Sequence, residues 1–212
     1  MIAAVKEPVL RTIDAVQAAG LDAVEVDLVP FALTRALMSS DSAGTVVLVH
    51  IGAVTSCVVI AHDGVPQFVR IIPTGGEDVT AALVKQLGIP HEQADQIKRG
   101  LGLATKNVSP EWLPAVNTIG SAVSDLLDSI RHTLSFYVNT RGDAVFSRIL
   151  LSGGGAQLPG LAQALAEATR VPVGMPEASS SLTIARSVDP AKVASDAAGV
   201  AVAAGLAIGA KE

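Results

Sequence analysis

The sequence predicts an α/β fold: a strand-rich stretch, a helical block inserted after it, then a return to alternating strands and helices. Three observations predict it. Residues 45–72 hold three β-branched apolar runs. Residues 113–137 repeat apolar side chains at helical spacing. Residues 148–208 read as strand, helix, strand, helix, with three consecutive glycines after the first strand.

Taken in order, Met1–Val5 is apolar and reads as a strand, and Val9, Ile13 and Val16 mark a helix over 8–19 that stops at Gly20. Val24, Val26 and Leu28 alternate with Glu25 and Asp27, which predicts a half-buried strand over 23–29. Pro30 suits the first turn of a helix over 31–38. The polar linker Ser39-Ser40-Asp41-Ser42 marks the first boundary. Strands are expected at 45–49, 57–61 and 67–72, the last two joined by an Asp63-Gly64 hairpin turn. Gly75-Gly76 opens a helix over 77–87, with Glu77 and Asp78 where the helix dipole favours acids.

Residues 89–147 read as helical. Leu113, Val116, Ile119, Val123, Leu127, Ile130, Leu134 and Tyr137 keep one face apolar over about seven turns. A strand at 148–151, a helix over 158–168, a short strand at 171–173, a loop over 177–189 and a small-residue helix over 190–208 complete the chain.

Composition narrows the function classes. Half of the 212 residues are apolar, but only 3% are aromatic. The net charge of −5, with 15 scattered Lys and Arg, argues against nucleic acid as a partner. The single Cys57 excludes an internal disulfide and a CxxC metal site, and its apolar surroundings mark it as a buried small hydrophobe. The four histidines have no metal-ligand spacing, so no metal ligands are expected. The longest uncharged stretch, 197–210, falls short of the ~20 apolar residues of a membrane span.

Two glycine-bearing strand ends carry the chemistry. In Val49-His50-Ile51-Gly52-Ala53-Val54-Thr55, Gly52 lets backbone approach a phosphate and Thr55 offers a hydroxyl; a plain hairpin glycine is the other reading. In Ser152-Gly153-Gly154-Gly155-Ala156, bare backbone before a helix can seat a ligand, or simply make a tight turn. The second lacks both the Walker A ending and the Rossmann spacing. Asp95 and Lys98, three apart, share a helix face as an ion pair.

In this order, these pieces resemble the actin, hexokinase and heat-shock chaperone ATPase superfamily, and most closely its type IV pilus assembly PilM family, with FtsA second. The resemblance rests on GLDAVEVDLVPFAL (20–33), VLVHIGAVTSCVVIAHDGVPQFVRIIPTGGEDVT (47–80), SDLLDSIRHTLSFY (124–137), RILLSGGGAQLPGLAQALAEATRVPVGMP (148–176) and AAGLAIG (203–209). It implies a ribonuclease-H-like lobe over 43–212, with 89–147 as its helical insertion and 1–42 as a remnant of the first lobe and its inserted subdomain.

The resemblance also implies an ATP site, with Mg²⁺, in which Gly52 and Thr55 belong to the second phosphate motif. Gly75 and Gly76 would face the phosphates, Asp95 and Lys98 would hold ribose and adenine, and Gly153, Gly154 and Gly155 would form the adenosine motif. Gly205 falls in the second connecting helix.

Two departures bear on activity. His50 stands where the family carries the Asp that positions Mg²⁺, and the first phosphate loop lies outside this sequence, so hydrolysis is expected to be impaired and no catalytic residue is named. The implied role is a cytoplasmic scaffold held peripherally at the inner membrane by the N-terminal tail of a PilN-type protein, able to form homo-oligomers. The alternatives are an active ATPase or kinase of the superfamily and an FtsA-like filament protein. FtsA-like proteins end in an amphipathic helix after a linker, unlike Lys211-Glu212.

Overall fold

The computed structural model describes residues 5–38, 43–103, 108–142, 144–176 and 197–209. Its centre is a five-stranded sheet in the order β3-β2-β1-β4-β5. The strands are β1 (Thr45–Ile51), β2 (Ser56–His62), β3 (Val65–Ile72), β4 (Phe146–Ser152) and β5 (Val173–Gly174). The first three form an antiparallel meander, and β4 and β5 add in parallel on the far side of β1. β1 is buried along nearly its whole length, as its continuous Val-Val-Leu-Val run requires of a strand covered on both faces. Asp63 and Gly64, both with positive φ, close the β2–β3 hairpin as their sequence predicts.

One face of the sheet carries the larger core. Helices α3 (Gly76–Leu87), α4 (His91–Leu101), α5 (Leu113–Arg141) and α6 (Leu161–Thr169) cover it. Val47, Val49 and Ile51 of β1 pack there with Leu83, Ile119, Ile130 and Leu165. Each fully buried Leu or Ile contributes roughly 1.5–3 kcal/mol of transfer free energy. Phe68, Phe136, Tyr137 and Phe146 form a chain of rings from β3 across to β4, with centroids 5.9–6.1 Å apart.

The other face carries α2 (Val29–Leu37) and α7 (Ala197–Gly209), whose Leu33 and Ala201 pack on Val46, Leu48, Cys57, Val59 and Leu150. Small residues let these two helices meet backbone to backbone: a Cβ on Gly205 would collide with the carbonyl of Ala32. Arg35 of α2 donates from Nε to the Gly205 carbonyl at 3.1 Å and pairs through Nη2 with Asp27. Burial alone would raise the Asp27 carboxyl, but Arg35 and the Leu28 amide outweigh it and hold it below its ordinary value.

Several expectations are corrected. Residues 21–28 are not a strand; they form neither helix nor sheet, and Val24 is 85% exposed. Alternation supplies a face, but a strand also needs a neighbour for its amides. Helix α1 (Lys6–Ala18) forms but buries no residue. The inward face of α5 keeps Ile119, Val123, Ile130, Leu134 and Tyr137 of the expected set, with Ala115, Leu126 and Thr133 buried beside them, while Leu113 is exposed. The helix expected at 158 begins at Leu161, after a 3₁₀ turn over Gly154–Gln157, and the last strand falls at Val173–Gly174. Residues 1–4 of the first expected strand, the linker 39–42, the loop 177–189 and the start of the last helix lie outside the described residues.

Candidate functional site

β1 and β4 run parallel side by side, so both glycine-bearing ends emerge at the same edge of the sheet. This is where ligands sit in sheets of this kind, outside the carboxyl ends of parallel strands. A cavity of about 390 Å³ opens there, within the usual range for small-molecule sites. Four segments wall it: Ile51–Ala53 at the end of β1, Gly75–Glu77 at the start of α3, Asp95, Lys98 and Arg99 on α4, and Gly154, Gly155 and Gln157 after β4. Its floor is apolar, from Val79, Val123, Leu126, Leu158 and Leu161.

Of the residues the sequence singled out, Gly52, Gly75, Gly76, Asp95, Lys98, Gly154 and Gly155 come together on this wall. Gly76 and Gly155 lie side by side on this wall: a Cβ on Gly76 would stand 3.9 Å from the Gly155 Cα and 3.9 Å from Lys98 Nζ, in ordinary van der Waals contact. Thr55 and Gly153 do not line it. The Thr55 carbonyl accepts from the Gly52 amide at 3.0 Å, which closes the loop. Gly153, at φ +90° and hard against the backbone of Ile51, turns the chain so that Gly154 and Gly155 can reach the cavity.

The α4 cluster is more connected than a surface ion pair. Lys98 Nζ lies 2.7 Å from Asp95 Oδ1 and 2.7 Å from Thr80 Oγ1, and 3.2 Å from the Gly76 carbonyl. Arg99 Nε donates to Asp95 Oδ2 at 2.7 Å. The hydrogen bond from Lys98 does most to hold the Asp95 carboxyl below its ordinary range; burial opposes it, and the Arg99 hydrogen bond and both positive charges add to the lowering. Sequence reasoning missed Arg99, which sits four residues after Asp95 and could have been found by that spacing. It also missed Thr80 and Gln157, for which no short motif gives a signal.

His50 precedes the cavity but does not enter it. Alternation sends Ile51 to the cavity face and His50 to the α2/α7 face, where its Nδ1 meets Ser152 Oγ at 3.2 Å. Burial pushes the imidazole below its ordinary pKa. Cys57, opposite His50 across the β1–β2 ladder, is buried and its thiol is pushed up to about 12, which leaves it unreactive. Among the described residues there is no cluster of three metal-ligating side chains. No helix among them is long and apolar enough to cross a membrane.

A meander extended by two parallel strands, with paired helices on the second face and a glycine-walled cavity at the strand ends, is the architecture of one lobe of an actin-like ATPase. The chain belongs to the type IV pilus assembly protein PilM family, whose model matches residues 1–211. In structure it is similar to a PilM–PilN type IV pilus biogenesis complex, at TM-score 0.83 and 23% identity, covering 98% of this chain and 59% of that one. It is also similar to MreB5 of Spiroplasma citri bound to AMPPNP, at TM-score 0.66 and 15% identity, covering 97% of this chain and 65% of that one. In sequence it is 25% identical to the cell division protein FtsA of Borreliella burgdorferi over 181 residues, 76% of this chain and 44% of that protein. The FtsA of Bacillus subtilis is 26% identical over 165 residues, 69% of this chain and 37% of that protein. The chain thus spans less than half the length of the curated relatives it matches.

Proposed function

We propose that this chain serves a type IV pilus assembly scaffold as its adenine-nucleotide-binding lobe, at the cytoplasmic face of the inner membrane. The observation that carries the reading is the cavity itself, where four separate segments bring the two glycine motifs and the Asp95–Lys98 pair to one wall. The residues suit a nucleoside. Gly76 and Gly155 offer backbone without side chains, the floor is apolar, and Asp95 stands at the side with a polar edge to offer. Partner docking on the N-terminal tail of a PilN-type protein is supported by family membership and by likeness to the PilM–PilN complex. The boundary near residue 42 between a first-lobe remnant and the second lobe, and self-association, belong to the same proposal.

Magnesium is a poorer match. It prefers hard oxygen donors, and His50 supplies an imidazole nitrogen turned toward Ser152 on the other face of the sheet. We derive no hydrolytic step, and the scaffold reading has ATP turnover impaired. Binding is tested by titration calorimetry with ATP on the wild type beside Gly76→Val, whose added carbons enter the cavity without meeting backbone closer than 3.7 Å at Cβ. Wild-type binding lost in Gly76→Val is the expected result; equal binding by both would move the nucleotide elsewhere. Steady phosphate release by the wild type in Mg²⁺ would defeat the impaired-turnover reading and favour an active ATPase.

A further inference from the structure

The sheet ends at β3, and that edge is thinly guarded. We propose that it is the surface on which the chain self-associates: β3 pairs antiparallel with β3 of a second copy, about a two-fold axis at Val69, and the two sheets become one. This rests on the self-association included in the scaffold reading and is independent of the nucleotide site.

β3 is the longest strand, eight residues, and no strand among the described residues lies beyond it. The amides and carbonyls of alternate residues therefore point outward without a ladder partner. Exposed edges are ordinarily kept from pairing by charges, proline, bulges or a covering element. Here the guards are Pro66 near the start, a register shift between Ile60 and Ala61 beside it, and Arg70. Around them the edge is apolar: Val65 is 57% exposed, Val69 38% and Ile71 53%.

The ladder tells which face each side chain takes. Val69 and Ile71 pair with Val59 and Cys57, which pack toward α2 and α7, so they rim that face. Phe68 and Arg70 pair with Ile60 and Val58, which belong to the larger core, so they stand on the α5 side. There Phe136 of α5 is 56% exposed and sets its ring 5.9 Å from that of Phe68. An added strand thus meets apolar side chains on both of its faces.

A second copy fits because the edge complements itself. A two-fold perpendicular to the sheet keeps the faces matched, so it must pass through one residue and its own copy. Through Arg70 it would set like charges opposite each other. Through Phe68 it would set Arg70 against Pro66, with neither ring nor charge to meet. Through Val69 it opposes Val69 to Val69, Ile71 to Gln67, and Arg70 to Phe68. Arg70 has no ion-pair partner among the described residues. This register lays its guanidinium beside the Phe68 and Phe136 rings of the other copy, a cation–π contact made twice.

Sedimentation velocity on this chain at rising concentration should show a reversible dimer. Val69→Lys, at a position already partly exposed, should raise its dissociation constant about tenfold or more and leave the circular dichroism of the dilute monomer unchanged. Cysteine substitution reads the register, in a Cys57→Ala background so that only the introduced thiol reacts. The two Val69 Cα atoms would lie about 4.5–5.5 Å apart, within disulfide reach, and the two Val65 Cα atoms about 27 Å apart. Under mild oxidation Val69→Cys should therefore give a covalent dimer and Val65→Cys should not. A chain that stays monomeric at every concentration would overturn self-association and this interface together. A dimer unmoved by Val69→Lys, or one in which Val69→Cys fails to cross-link, would overturn this interface and leave self-association standing.

Discussion

The two faces of the sheet solve the same problem in opposite ways. On the α3–α6 face, large side chains fill the space between helices and sheet, and a cavity opens where the strands end in glycine. On the α2/α7 face, small residues bring two helices together until backbone meets backbone. The first face spends volume and can hold a ligand. The second leaves no room for one, and gains instead a fixed crossing of two helices, pinned by Arg35 to the carbonyl of Gly205. Glycine thus has contrary uses in one fold: at Gly76 it leaves the cavity wall bare, and at Gly155 and Gly205 it lets neighbours close in.

The largest effect that would sharpen this contrast is truncation on the voluminous face. Ile130 is fully buried, and Ile130→Ala should cost about 4 kcal/mol in urea unfolding, from lost transfer energy plus the cavity it leaves. On the opposite face the damaging change is addition. Gly205→Ala should cost about 3 kcal/mol by forcing α7 away from Ala32, while Ala201→Gly beside it should cost only about 1 kcal/mol. If Gly205→Ala proves neutral, the close approach of the two helices is not a constraint.

Next in size is Lys98→Met, which strips three acceptors of one donor and should cost about 2 kcal/mol at neutral pH. Its pH dependence discriminates further. Asp95 is held below its ordinary value, so the stability it contributes is present above the unfolded-state carboxylate pKa of about 3.9 and is lost as pH falls through the lower folded value. The acid limb of unfolding should therefore be shallower in Lys98→Met than in the wild type.

The smallest effect concerns His50. Its folded pKa is depressed, so its neutral form adds stability that is complete above the unfolded value of about 6.5 and declines as pH falls below it. His50→Gln should flatten that part of the pH–stability curve by a few tenths of a kcal/mol.

How much of this was legible in the sequence follows from which interactions are local. The strands of the meander are β-branched runs closed by Asp63-Gly64, and both signals act within a few residues. The cavity was legible in its glycines because strand ends before helices favour bare backbone whatever else the chain does. The segment 21–28 misled because alternation is a local property and strand pairing is not. Two further facts were out of reach for the same reason. That the α3 amides are spent on Gly52 and Ala53 depends on a loop more than twenty residues away, and that Thr80 completes the Lys98 shell depends on how α3 packs against α4.

Helix α5 is a rod of 29 residues, about 43 Å at 1.5 Å per residue. It forms a shared beam behind three separate hollows. Val123 and Leu126 floor the candidate site, Leu113 and Asn117 flank a groove against α3 near its first turns, and Leu134 and Val138 border a recess near its last. Ile119, Val123 and Ile130 bury the middle of this helix in the larger core, so a single element backs the candidate site and the hollows toward both of its ends.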